Sequence, residues 1–233
     1  MKTIGIIGGM SWESTSEYYR YINEEAKMFL GGLHSAKMIV YSVDFDEVES
    51  LQSKGDWDAL AEMMISAADR LAAGGAELLL IAANTMHKVA NKVQVHSKLP
   101  LLHIADGVAA AISKQGVRRV LLLGTRFTME EGFYIDRLQQ SHDIEVVVPN
   151  ETERVLLHRI ILEELGLGDV LQSSQHAVLG MINRYQGLGV EGVILGCTEL
   201  SLLVSQQQVE VFVFDSLRIH ARMAVMHAIP GLV

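Results

Sequence analysis

Apolar runs of strand length alternate along this chain with segments of helical period. The runs at 3–7, 36–43, 77–82, 101–104, 118–123, 144–148, 191–196 and 210–214 predict strands. The intervening stretches at 14–28, 56–73, 86–96, 106–115, 129–140, 150–165, 169–186 and 217–228 predict helices. Runs such as Glu77-Leu78-Leu79-Leu80-Ile81 and Val193-Ile194-Leu195 do not alternate, which implies strands covered on both faces. The expected class is therefore α/β, with parallel sheets enclosed by helices. No Pro-, Ser- or charge-rich linker interrupts the pattern.

The pattern repeats. Gly75-Ala76-Glu77-Leu78-Leu79-Leu80-Ile81-Ala82-Ala83-Asn84-Thr85 lines up without a gap on Gly189-Val190-Glu191-Gly192-Val193-Ile194-Leu195-Gly196-Cys197-Thr198-Glu199. Thr3-Ile4-Gly5-Ile6-Ile7-Gly8-Gly9 likewise matches Arg119-Val120-Leu121-Leu122-Leu123-Gly124-Thr125, and Leu101–Asp106 matches Glu210–Asp215. Three blocks recurring in order predict two similar lobes, each a four-stranded parallel sheet flanked by helices and related by a pseudo-two-fold. The expected division is 1–103 plus 217–233 for the first lobe and 104–216 for the second, with a cleft between.

Ligands of open parallel sheets bind beyond the carboxyl ends of the strands. Four loops are expected there: Gly8-Gly9-Met10-Ser11, Ala83-Asn84-Thr85, Gly124-Thr125-Arg126 and Cys197-Thr198-Glu199. Small residues, hydroxyls and amides at helix N-termini suit a carboxylate. The first loop lacks the G-x-G-x-x-G spacing of a dinucleotide fingerprint. Cys197 is the chain's one cysteine. The sequence sets it at the mouth of a helix running from Leu200, where the dipole would favour thiolate. In the internal alignment Ala83 occupies the place of Cys197. His87 follows one helical turn later, in a supporting role or as a turn cap. Glu47 and Gln52 follow the second strand, where they face a ligand's side chain or belong to a solvated acidic face.

Composition narrows the field. The chain has 233 residues, 49% of them hydrophobic and 20% charged, enough for a sizeable core. A net charge of −9 argues against nucleic acid and against a polybasic membrane anchor. One cysteine forms no internal disulfide, there is no signal-peptide pattern, and apolar runs are far shorter than a bilayer span. The expectation is a cytoplasmic protein without membrane or nucleic-acid partners. The nine histidines show no ligand spacing with Cys197, so no metal is expected.

Gly8-Gly9-Met10, Asn84-Thr85-Met86-His87 and Gly196-Cys197-Thr198-Glu199, in duplicated lobes, resemble the aspartate/glutamate racemase family. The likeness covers essentially the whole chain. Met10–Thr15, Leu30–Ala36, Ser42–Phe45 and Leu123–Arg126 are most similar to its enterobacterial branch, the L-aspartate/glutamate-specific or broad-specificity amino-acid racemases. The resemblance implies a PLP-independent isomerase without cofactor, acting on a small amino acid, as a homodimer. It also implies two acid/base groups on opposite faces of the substrate α-carbon. Cys197 matches the second. Asn84, Thr85, Thr198 and Glu199 match ligand contacts, and Met10, Gln52 and Thr125 match positions lining the same cleft.

This chain departs from the family pattern twice. Position 83 matches the first catalytic group but carries alanine, which has no proton to exchange. Near position 47, aspartate-specific relatives have an arginine, whereas this chain has Glu47. Two other readings keep the same residues: a single-cysteine decarboxylase or isomerase of small carboxylic acids, and a non-catalytic amino-acid-binding protein.

Overall fold

The structure, a computed structural model, describes residues 1–232, the Ser141 side chain excepted. The chain forms two compact units. One comprises Met1–His103 and resumes at His220, and the other is Ile104–Ile219.

The first unit runs β1 (Ile4–Gly8), α1 (Trp12–Leu30), β2 (Met38–Ser42), α2 (Phe45–Lys54), α3 (Trp57–Ala73), β3 (Leu78–Ile81), a 3₁₀ turn (Thr85–Val89) and α4 (Ala90–His96). Its strands are parallel in the order β2-β1-β3, with Ile4 opposite Met38 and Leu78. β1 and β3 are buried along their length, as unalternating runs require. Helix α1 buries Ser14, Tyr18, Ile22 and Ala26, one residue per turn. Ser11 caps it, its Oγ accepting from the Ser14 N–H. Helix α3 contributes Leu60, Met64, Ala67, Ala68 and Leu71 to the core around Ile7, Leu79 and Ile81.

The first sheet has three strands where four were expected. The stretch 101–104 is reduced to one parallel bridge, Leu79 opposite Leu101. The Pro100 carbonyl accepts from Leu79 N, and Leu102 N donates to Leu79 O. Proline has no N–H to extend the ladder on its own side, and helix α5 already begins at Ile104. Helix α2 is an addition to the sequence reading. Asp44 caps its start and Gly55, left-handed at φ 71°, ends it. Only Val48 is buried along it, so it shows no apolar stripe to read.

The second unit runs α5 (Ile104–Lys114), β4 (Arg119–Gly124), α6 (Arg126–Glu130), α7 (Gly132–His142), β5 (Glu145–Val147), α8 (Glu151–Arg159), α9 (Gln172–Gln186), β6 (Gly192–Gly196), β7 (Phe212–Asp215) and the start of α10 (Ser216–Ala228). Its four strands are parallel in the order β5-β4-β6-β7. The order repeats that of the first unit, with β7 in the place of the Leu101 bridge. An Asn150–Glu153 capping box starts α8. Glu153 is buried, pairs with Arg184 and accepts from Tyr185 Oη at 2.9 Å. The helix expected over 150–165 is α-helical only to Arg159, then passes through a π turn and a 3₁₀ turn to Leu167.

Gly124 and Gly196 are opposite each other at the ends of β4 and β6. A Cβ on Gly196 would lie 2.8 Å from the Leu123 carbonyl oxygen, and one on Gly124 would lie 3.0 Å from that of Gly196. The absence of both side chains lets the strands carry Thr125 and Cys197 out side by side. Gly196→Ala should therefore destabilise the chain by about 1–3 kcal/mol through overpacking against backbone, measured by urea unfolding. An unchanged midpoint would refute the close approach.

Candidate functional site

In the first unit, the loop after β1 is fastened by its own polar groups. Gly9 N donates to Thr15 Oγ1 at 2.8 Å, and Thr15 Oγ1 donates to Ser11 O at 2.8 Å. Gly9 has φ 90°, and a Cβ there would collide with the Val43 carbonyl oxygen. The next residue, Met10, is buried in the same cluster as Met86, and Ala83 packs against that cluster. Gln52 reaches it from α2, its Nε2 lying 3.2 Å from Met86 Sδ. Asn84 and Thr85 are buried where β3 gives way to the 3₁₀ turn. The fold thus gathers Met10, Gln52, Ala83, Asn84 and Thr85 at one end of the first sheet. Glu47 lies exposed on α2.

A buried histidine network lies behind Ala83. His87 Nδ1 is 2.9 Å from the Ala83 carbonyl oxygen and donates to it. This is a local bond one turn back, and His96 and His227 make the same bond to Lys92 and Met223. Geometry therefore supports His87 as a brace for the turn. Its ring meets His103 edge-on at 4.6 Å and His220 at 5.7 Å. His220 is fully buried, with Nδ1 2.8 Å from Tyr18 Oη and Nε2 2.9 Å from Leu102 O. A carbonyl only accepts, so Nε2 carries the hydrogen and Nδ1 accepts from the tyrosine. Burial, reinforced by His87, lowers the His220 pKa to about 3. The spacing of the histidines along the sequence gave no sign of this network, because its members come from three distant segments.

In the second unit, Thr125 caps α6. Its Oγ1 accepts from Thr128 N and lies 3.2 Å from the Thr128 hydroxyl, which is fully buried. Thr128 was not among the expected site residues, although a Thr-x-x-Thr spacing at a helix start signals this arrangement. Cys197 is partly exposed and packs against the core that contains Met129, Leu157 and Leu200. Its Sγ donates to Glu199 Oε2 at 2.9 Å, and Thr198 Oγ1 donates to the same oxygen at 2.7 Å. Cys197, Thr198 and Glu199 therefore form one hydrogen-bonded group.

The expected thiolate is overturned. The helix behind Cys197 is a 3₁₀ turn of five residues, Thr198–Leu202, too short for a substantial macrodipole. Packing among apolar neighbours raises the thiol pKa well above the ordinary range. The Glu199 charge and its hydrogen bond raise it further. Backbone N–H groups of Glu199 and Thr198 oppose these effects without overcoming them.

The profile of the Asp/Glu/Hydantoin racemase family matches residues 7–224. The chain belongs to that family. A Yersinia pestis structure classed with the Asp/Glu racemases is 52% identical, covers 98% of this chain and 99% of its own, and superposes with a TM-score of 0.92. An aspartate racemase homologue from Pyrococcus horikoshii is 43% identical over 98% and 99% of the two chains, at TM-score 0.86. The aspartate racemase of Picrophilus torridus is 20% identical over 98% and 94%, at TM-score 0.77, and shows the shared fold. The family and the Yersinia and Pyrococcus neighbours support racemase chemistry. Among the described residues, no helix is long and apolar enough to cross a membrane. Among the same described residues, no group of three or more His, Cys, Asp or Glu is placed to hold a metal ion.

The His220 network makes a pH prediction. Its folded pKa is depressed, so the unfolded chain binds the proton first as pH falls below about 6.5, while the folded chain resists until about 3. Stability from this group is full above 6.5 and is lost across that window. Between pH 7 and pH 5 the loss should be about 2 kcal/mol. Urea unfolding at both pH values should show a steeper loss for the native chain than for His220→Gln. Equal slopes would show that His220 takes up its proton without unfolding.

Proposed function

We propose that this family member is a PLP-independent amino-acid racemase or its one-base descendant, acting at the Cα–H bond. The observation that carries the reading is the pair of equivalent strand ends. After β6 stands a lone thiol in a polar cluster, and after β3 stands Ala83 in the corresponding place. In this reading Cys197 moves the proton. Asn84, Thr85, Thr198 and Glu199 contact substrate, with Met10, Gln52 and Thr125 lining the site. The substrate is a small amino acid. Exposed Glu47 would repel an acidic side chain, so neutral or cationic side chains are preferred. The working form is a cytoplasmic homodimer.

Alanine at position 83 supplies neither base nor acid. Chemistry then falls to one sulfur. Its thiolate form removes the α-proton, and the electron pair is delocalised into the substrate carboxylate, which donors at the strand ends stabilise. The resulting S–H exchanges its hydrogen with solvent and returns one to the same face. Exchange with retention is the expected outcome, and inversion is slow.

A second reading draws on the raised thiol pKa. A resting S–H is a ready donor to a carbanion made by another bond cleavage, as in a single-thiol decarboxylase or isomerase of small carboxylic acids.

Deuterium wash-in decides between them. Single enantiomers of an amino-acid panel are incubated in D₂O and followed by NMR and optical rotation. The one-base reading predicts α-deuteration of one enantiomer with retained configuration, abolished in Cys197→Ser. Exchange undiminished in that variant would sink the assignment of the sulfur. Absence of exchange, with thermal stabilisation by the same amino acids, would mark a non-catalytic binding protein. Ala83→Thr and Ala83→Cys should raise racemisation at least tenfold by restoring a second group. No gain with either would favour the single-thiol decarboxylase or isomerase.

A further inference from the structure

The loop Cys197-Thr198-Glu199 is organised around one carboxylate oxygen. Both side-chain donors of the loop, the Cys197 thiol and the Thr198 hydroxyl, point at one oxygen, Glu199 Oε2. That convergence orients the carboxylate. The Thr198 hydroxyl bond aims Oε2 so that it also takes up the S–H direction. Cys197 itself packs against the apolar core of the second unit, to which Met129, Leu157 and Leu200 belong.

We propose that Glu199 is a positioning residue that keeps Cys197 in its S–H form, so that the resting site is a proton donor. The inference rests on the reading of Cys197 as the proton-moving group and specifies the state in which it starts. Glu199 accepts the S–H hydrogen bond and sets a negative charge against the sulfur, and both effects favour the neutral thiol. Thr198 keeps the carboxylate in place.

Several charged groups of α6 and α8 pair with one another or with α9. On α8, Arg154 pairs with Glu130 of α6, and Glu153 pairs with Arg184. His158 on α8 is inclined to the neutral state by burial and by Arg126. Glu199 sets both its charge and its hydrogen bond against the Cys197 thiol from within the same loop.

The consequence for chemistry is a direction. A site that begins with S–H and lacks a base at position 83 delivers a proton readily and removes one slowly. The S–H bond breaks, a C–H bond forms at the carbanion, and the thiolate regains its proton from water. Protonation of a carbanion should therefore outpace α-proton abstraction.

The test needs no substrate, so it is separable from the fate of the proposed function. Alkylation by iodoacetamide reports thiolate directly, and with one cysteine in the chain the site of labelling is unambiguous. The native chain should alkylate slowly at pH 7.5, with a rate still climbing above pH 9. In Glu199→Gln, which keeps the shape and removes the charge, the pH profile should move down by about one unit. The rate at pH 7.5 should rise about tenfold. Glu199→Asp, which restores the charge, should return the profile toward the native one. Thr198→Val, which frees the carboxylate to swing away, should give an intermediate rate. A native profile with its midpoint near or below 8 would overturn the proposal without any variant. So would a Glu199→Gln profile that stays put or moves upward.

Discussion

A contact of 2.9 Å between the Cys197 sulfur and a Glu199 carboxylate oxygen defines the surroundings of the chain's one thiol. It is the product of strand geometry. β6 is buried on both faces and runs parallel to β4 and β7, so its carboxyl end must turn out of the sheet at Gly196. The Gly124–Gly196 pairing leaves no room for side chains at that point. The next residue therefore leaves the sheet in a fixed direction, and a short 3₁₀ turn brings Glu199 back onto it. Packing supplies the apolar surroundings, and the carboxylate supplies the charge. Together they set the protonation of the only thiol.

The first unit repeats the same plan with different chemistry. Its strand order reproduces that of the second unit, and β3 ends in Ala82-Ala83 where β6 ends in Gly196-Cys197. Behind Ala83, three buried histidines and a tyrosine occupy the interior. His220 is locked neutral between Tyr18 and the Leu102 carbonyl. That network braces the backbone of the loop through His87. Acid/base groups abound near position 83, yet the position itself has none. The two strand ends are therefore asymmetric, with a sulfur at one and a methyl at the other.

Much of this was legible in the sequence because buried parallel strands announce themselves. Unalternating runs placed β1, β3, β4 and β6, and the internal repeat predicted two similar lobes with parallel sheets. Features that depend on few residues escaped. Helix α2 buries Val48 alone and so carries no apolar stripe. The strand expected at 101–104 has the right composition, but Pro100 and the early start of α5 leave a single bridge. At the site, the residue types were readable and their electrostatics were not. A glycine followed by cysteine and threonine suggested a helix mouth that would favour thiolate. The turn is too short to do so, and Glu199, two residues on, folds back onto the sulfur. Distances of that kind arise only in three dimensions, as does the meeting of His87, His103 and His220.

The same contact gives the family fold a role in selecting chemistry. In the reading proposed above, this chain holds its one sulfur ready as an acid. Infrared spectroscopy of the S–H stretch tests that claim most directly, since one cysteine gives one band. At neutral pH the band should be present and shifted to low frequency by its hydrogen bond to Glu199, and Glu199→Gln should weaken that shift. No S–H band in the native chain at pH 7 would mean a thiolate at rest, and would contradict the account.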